Sequence, residues 1–193
     1  MIEPGELATV LIIIPFVAQL IKLYTNPTLL TESPSDEDAM DIVDTMAGQA
    51  IALFALILVI IEFVIEGGEL TQYEALSATA MVVASIFVML AFATRVIAGL
   101  RMIFFNFQLT SVRYAGLVLF LGMYLILLSR PFTKQVTDIF ALFLGITWLV
   151  WIVHEIHAIL CTERKEWGAI DMNRREWVRE ILSNLRKKWK ESC

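Results

Sequence analysis

"AGQAIALFALILVIIEFVI", residues 47–65, decides the class of fold. It carries one ionisable group, Glu62, and no proline. A helix needs about 20 mainly apolar residues to cross the hydrocarbon core of a bilayer. The stretch meets that requirement and reads as a transmembrane helix.

Four further stretches read the same way: Leu7–Tyr24, Ala75–Val96, Tyr114–Ser129 and Val136–Leu160. Tyr114–Ser129 is the shortest, and its helix is open to starting a turn earlier. The composition agrees. The chain is 58% hydrophobic and 18% charged, against roughly 45–50% and 25% for soluble domains. Its mean hydropathy is +0.72. No Lys or Arg occurs between Lys22 and Arg95, as expected where each base costs about 2.5–3.5 kcal/mol at the bilayer centre. Leu7–Tyr24 also has the position of a signal peptide. Glu3 and Glu6 stand where that segment would be basic, and no small-residue cleavage site follows, so a retained helix is expected.

The expected fold is an all-α integral membrane bundle of about five spans over residues 1–161, followed by a cytoplasmic amphipathic tail over 162–193. Charge sets the orientation. With the N-terminus outside, the inner segments hold Lys22, Arg95, Arg101, Arg113 and the tail, and the outer loops hold Arg130 and Lys134. The tail has nine bases and six acids, whereas the other 161 residues are net −8. A multi-pass protein of the cell membrane with a cytoplasmic C-terminus follows. Cys161 and Cys193 then fall on the reducing side, where a disulfide is not expected.

The loop "TNPTLLTESPSDEDAMD", residues 25–41, separates the first two spans. Ser35 has the character of an N-cap, with Asp38 three residues later. Asp36, Glu37, Asp38, Asp41 and Asp44 would form an acidic inner collar. That collar suits the helix dipole and would also suit a basic partner. Arg95 and Arg101 are expected to snorkel to the headgroups.

In the tail, Val178, Ile181, Leu182, Leu185 and Trp189 follow helical spacing on one stripe. Trp177 sits beside it. Arg174, Arg175, Lys187 and Lys188 are among the bases, which lie largely off it. This pattern fits an anionic membrane surface or packing on another helix. The expected partners are the lipid bilayer, a second copy of the chain and a cytoplasmic protein. The net acidity argues against nucleic acid.

Candidates for chemistry are few. Glu62 and Glu66 are i, i+4 and share a helix face. In a closed oligomer they would repeat as acidic rings at a cation pore. The plainer reading is that they reach headgroup water or pair with Arg130 or Lys134. In "WIVHEIHAILC", residues 151–161, His154, His157 and Cys161 fall within about 60° of one another, and Glu155 points about a quarter-turn away. The group could serve proton-linked chemistry or hold a metal. The plainer reading is the hydrated end of a helix, where His suits the dipole. The HExxH spacing fails, because residue 158 is Ala.

No catalytic motif stands out, and neither enzymatic activity nor a cofactor is expected. The expected function is a self-associating membrane subunit. It would anchor or sense at the membrane and present its tail and acidic loop to a partner. The alternative is an oligomeric cation channel lined by the second span.

Overall fold

The computed structural model describes residues 3–25, 29, 37–65, 70–98, 102–166, 179 and 183. The described residues contain helices and no strand: α1 (Pro4–Thr25), α2 (Glu37–Ile65), α3 (Gln72–Ala93), α4 (Arg95–Ala98), α5 (Met102–Ser129) and α6 (Lys134–Glu166). Five are long and apolar enough to cross a membrane, over Pro4–Tyr24, Asp41–Glu62, Gln72–Ala93, Met102–Ser129 and Lys134–His157. The expected five-span bundle is present in that sense. Of the expected tail helix, only Arg179 and Ser183 are described; its other named residues, from Arg174 to Trp189, lie outside the described residues. Ser35, Asp36, Glu66 and Arg101 lie outside them as well.

Two boundaries differ from the sequence reading. Helix α5 begins at Met102, three turns before Tyr114. Its first turns contain Gln108, Thr110 and Ser111, which lower an apolar count. All three are buried, and two of them are hydrogen-bonded to neighbouring helices. Gln108 Nε2 donates to the Val43 carbonyl (3.3 Å), and Thr110 Oγ1 accepts from Gln19 Nε2 (2.7 Å). Helix α3 ends at Ala93 instead of Val96. Thr94 caps it, its hydroxyl donating to the Leu90 carbonyl at 2.8 Å, and the chain turns into α4.

The core is the α3–α5 pair. Half of each of these two spans is buried. Ser77, Ala80, Ala84, Phe87 and Ala91 form a helical stripe on α3, and Ala115, Val118 and Gly122 face it from α5. Lipid tails are as apolar as leucine, so hydrophobicity alone does not join helices in a membrane; small residues that let backbones approach do. At Gly122 the approach is closest. The Ser77 hydroxyl donates to its carbonyl at 2.9 Å, and a Cβ added there would lie 2.5 Å from Met81 Cε.

The other helices flank this pair. Helix α1 packs on α3, α5 and α6; α2 packs on α3 and α5; α6 finds its packing on α5 and α1. Only 6% of the α6 span is buried. Ile139, Leu142, Leu149 and Val150 face outward, each 60% exposed or more. An outward surface of this kind suits hydrocarbon as solvent.

Helix α1 has one local fault, repaired by α5. Pro15 lies inside it and has no N–H to give the Leu11 carbonyl four residues back. The Tyr114 hydroxyl donates to that carbonyl at 2.8 Å.

Candidate functional site

One end of the bundle concentrates polar groups between α1, α5 and α6. Gln19 and Lys22 are i, i+3 on α1 and share a face. Thr110, Arg113 and Tyr114 come from α5, and Trp148, Trp151, His154 and Glu155 from α6. Lys22 Nζ lies 2.5 Å from Glu155 Oε2, with side chains only 12% and 8% exposed. Lys22 Nζ also donates to Thr110 Oγ1 at 3.4 Å. Thr110 therefore receives both polar residues of the α1 face.

A buried ion pair must recover the cost of removing two charges from water. Here it does so by contact and by a hydroxyl shared with a third helix. An ionisable group within a span is the natural place to look for function, and this pair joins α1 to α6.

Beside it, Arg113 Nη1 lies 3.1 Å from His154 Nε2. A guanidinium can only donate, so His154 Nε2 is the accepting side of this contact. Deeper in the span lies an aromatic cluster. Tyr114 meets Phe87 edge-on at 5.2 Å and Trp148 at 5.9 Å, and its ring is 5.6 Å from that of Trp151.

These contacts revise the reading of residues 151–161. The sequence draws attention to His154, His157 and Cys161, with Glu155 turned away. In the fold His154 and His157 are exposed, and Glu155 is the residue that faces the bundle. The Cys161 side chain lies outside the described set. Among the described residues no three His, Cys, Asp or Glu side chains are grouped to hold a metal.

At the other end, Thr71 and Glu74 form a capping box at the start of α3. The Thr71 backbone N–H donates to Glu74 Oε2 at 2.9 Å, and Glu74 Oε1 meets Arg130 Nη2 at 3.0 Å. Arg130 was expected to meet Glu62 or Glu66. It meets Glu74 because α3 and α5 pack directly, bringing the start of one beside the end of the other; Glu66 lies outside the described residues. Glu62 is exposed on α2. Gln49, the other polar residue of this span on which the pore reading draws, is exposed too, yet thirteen residues at 100° place it about 220° from Glu62, so the two do not line one stripe.

Arg95 does not simply snorkel. Its Nη2 pairs with Asp44 Oδ1 at 2.8 Å, both side chains about half exposed. One acid of the collar is thus engaged within the chain.

Lys22, Gln19, Thr110 and Tyr114 do not stand out in the sequence. A usable signal exists: Lys22 and Glu155 are isolated opposite charges near the same end of two apolar stretches. Pro15 likewise announces an unserved carbonyl somewhere in α1. No protein-family model, no curated protein and no solved structure matches this chain.

Proposed function

We propose that this chain is a non-catalytic, multi-pass membrane subunit that displays its basic C-terminal segment, with the segment's position set by α6. The observation that carries the reading is the length of α6. Its 33 residues extend about 50 Å, against a hydrocarbon core of about 30 Å. The helix is apolar over most of its length and carries Glu163, Arg164, Lys165 and Glu166 at its end. In the sequence, the basic, amphipathic stretch follows the end of this helix.

In this reading the N-terminus is outside and the tail is cytoplasmic. The tail rests on the anionic membrane surface or docks on a partner helix, including that of a second copy. The Lys22–Glu155 pair holds α6 to α1, so the tether lies on the helix that precedes the displayed segment in the chain.

The test compares the full chain with a chain lacking residues 162–193, reconstituted in lipid discs. Self-association by mass photometry and recruitment of cytoplasmic proteins by crosslinking in native membranes are read together. Loss of both on deletion is the expected result. An unchanged oligomer and an unchanged crosslinking pattern overturn the reading.

A second reading, an oligomeric cation pore lined by α2, is favoured by one observation: Glu62 faces away from its own bundle. It predicts cation conductance from reconstituted protein, with altered selectivity in Glu62→Gln. Absence of conductance in the unmodified protein overturns it.

A further inference from the structure

Helix α6 has few specific ties to the rest of the bundle, and one of them depends on a histidine being neutral. Arg113 Nη1 of α5 lies 3.1 Å from His154 Nε2 of α6. A guanidinium offers N–H groups alone, so the ring nitrogen must accept. A protonated imidazole carries N–H on both nitrogens and keeps no lone pair to accept with. Protonation therefore removes this hydrogen bond and sets two cations face to face. At this separation the repulsion alone weakens the contact about tenfold, even at the dielectric of water.

The surroundings add to the effect. Helix α6 packs on α5 and α1. From α1, Lys22 faces this part of α6 and pairs with Glu155. From α5 come Arg113 and Tyr114, and the Tyr114 hydroxyl is committed to the Leu11 carbonyl. On α6 itself, Glu155 is buried and directed at Lys22, and His157 is exposed three residues further on. The described charges near His154 are thus two cations and one carboxylate, and the carboxylate is already paired. A proton on His154 adds a third cation. His154 is exposed, so protonation does not require the bundle to open. The chain has two histidines, His154 and His157, and histidine is the side chain whose ordinary titration falls between pH 5 and 8.

We infer that the Arg113–His154 contact is a pH-sensitive latch, which holds α6 against α5 while His154 is neutral and lets go on acidification. The contact contributes above the histidine range and is lost as the pH falls through it. Only 6% of the α6 span is buried, so the loss of one polar tie and the gain of a repulsion move this helix. The α3–α5 pair, packed along small residues, stays where it is. The inference deepens the reading of α6 as the helix that precedes the displayed tail, and rests on that reading for its consequence: the tail is presented differently in acid and at neutral pH.

The experiment uses the full chain in lipid discs, in a Cys161→Ser, Cys193→Ser background. Spin labels are placed at Met89→Cys on α3 and Val150→Cys on α6, both outward-facing positions, and the distance between them is read from pH 8 to pH 5. One narrow distance is expected at pH 8, with a longer component whose population rises about tenfold toward pH 5. His154→Gln is neutral at every pH and keeps an accepting oxygen, so the narrow distance should persist throughout. His154→Lys is cationic throughout and should show the longer component already at pH 8. His157→Gln should respond as the unmodified histidines do. A distance that does not move with pH overturns the inference. A response that survives in His154→Gln, or one lost in His157→Gln, assigns the titration to another group and overturns it too, as does a His154→Lys chain that stays narrow at pH 8. Crosslinking of cytoplasmic proteins at the two pH values separates this failure from that of the tail reading. A distance that moves while the crosslinking pattern stays fixed supports the latch and counts against the tail; a fixed distance contradicts the latch alone.

Discussion

Helices α3 and α5 are held by shape, and α6 is held by charge. The first pair meets along small residues, with Gly122 against Met81 and Ala80 and a hydroxyl of α3 on a carbonyl of α5. Half of each span is buried, so many weak contacts share the load. Helix α6 buries little and presents apolar residues outward. Its specific ties are the Lys22–Glu155 pair, the Arg113–His154 contact and a few aromatic rings. In a medium where apolar surface brings no net attraction between helices, a helix without close small-residue packing depends on polar contacts. The lesson concerns division of labour. The central pair fixes the fold, and a small number of polar groups fix the position of the helix that leads to the tail.

The largest expected effect comes from breaking the charge-held side. Lys22→Met leaves Glu155 buried and uncompensated, and breaking such a pair costs about 3–5 kcal/mol. Unfolding in bicelles titrated with denaturing detergent measures it. In a Cys161→Ser, Cys193→Ser background, a thiol placed at the buried position Leu144 of α6 should become reactive in Lys22→Met, while one placed at Ala84 of α3 should stay protected. Equal protection at both sites would erase the distinction between the two regions. The double change Lys22→Met with Glu155→Met should recover most of the lost stability, because two apolar groups of similar volume leave no charge behind.

The shape-held side is broken by Gly122→Leu. Overpacking of this kind costs about 1–3 kcal/mol, and here the loss should appear as global unfolding, without selective exposure of Leu144→Cys. Tyr114→Phe touches both regions, since Tyr114 sits in the core of α5 and serves the Leu11 carbonyl of α1. Losing one hydrogen bond should cost about 1 kcal/mol, and the cost should vanish when Pro15→Ala restores the missing backbone donor. Asp44→Ala, which removes a half-exposed pair with Arg95, should cost less than about 1 kcal/mol and fade with added salt.

Part of this division is legible in the sequence. The five spans follow from apolar length, because a bilayer demands continuous apolarity that a simple count detects. The early start of α5 is hidden for the same reason: Gln108, Thr110 and Ser111 look wet in a count, yet all three are buried, and Gln108 and Thr110 are satisfied by α2 and α1. The ion pair is hidden because Lys22 and Glu155 stand far apart in the chain. Helical spacing relates residues on one helix and says nothing of which residue a second helix brings near. The histidines draw attention by type, yet the residue that matters most in that stretch is the glutamate between them.

The central claim is that the Lys22–Glu155 pair sets the position of α6 against the core. It is tested most directly by electron paramagnetic resonance distances between spin labels at Val82→Cys on α3 and Val150→Cys on α6, both outward-facing positions, in lipid discs. The account predicts one narrow distance in the otherwise unmodified chain, a longer and broader distribution in Lys22→Met, and a return to the narrow distance when Glu155→Met is added. A distribution that stays narrow and unmoved in Lys22→Met would contradict it.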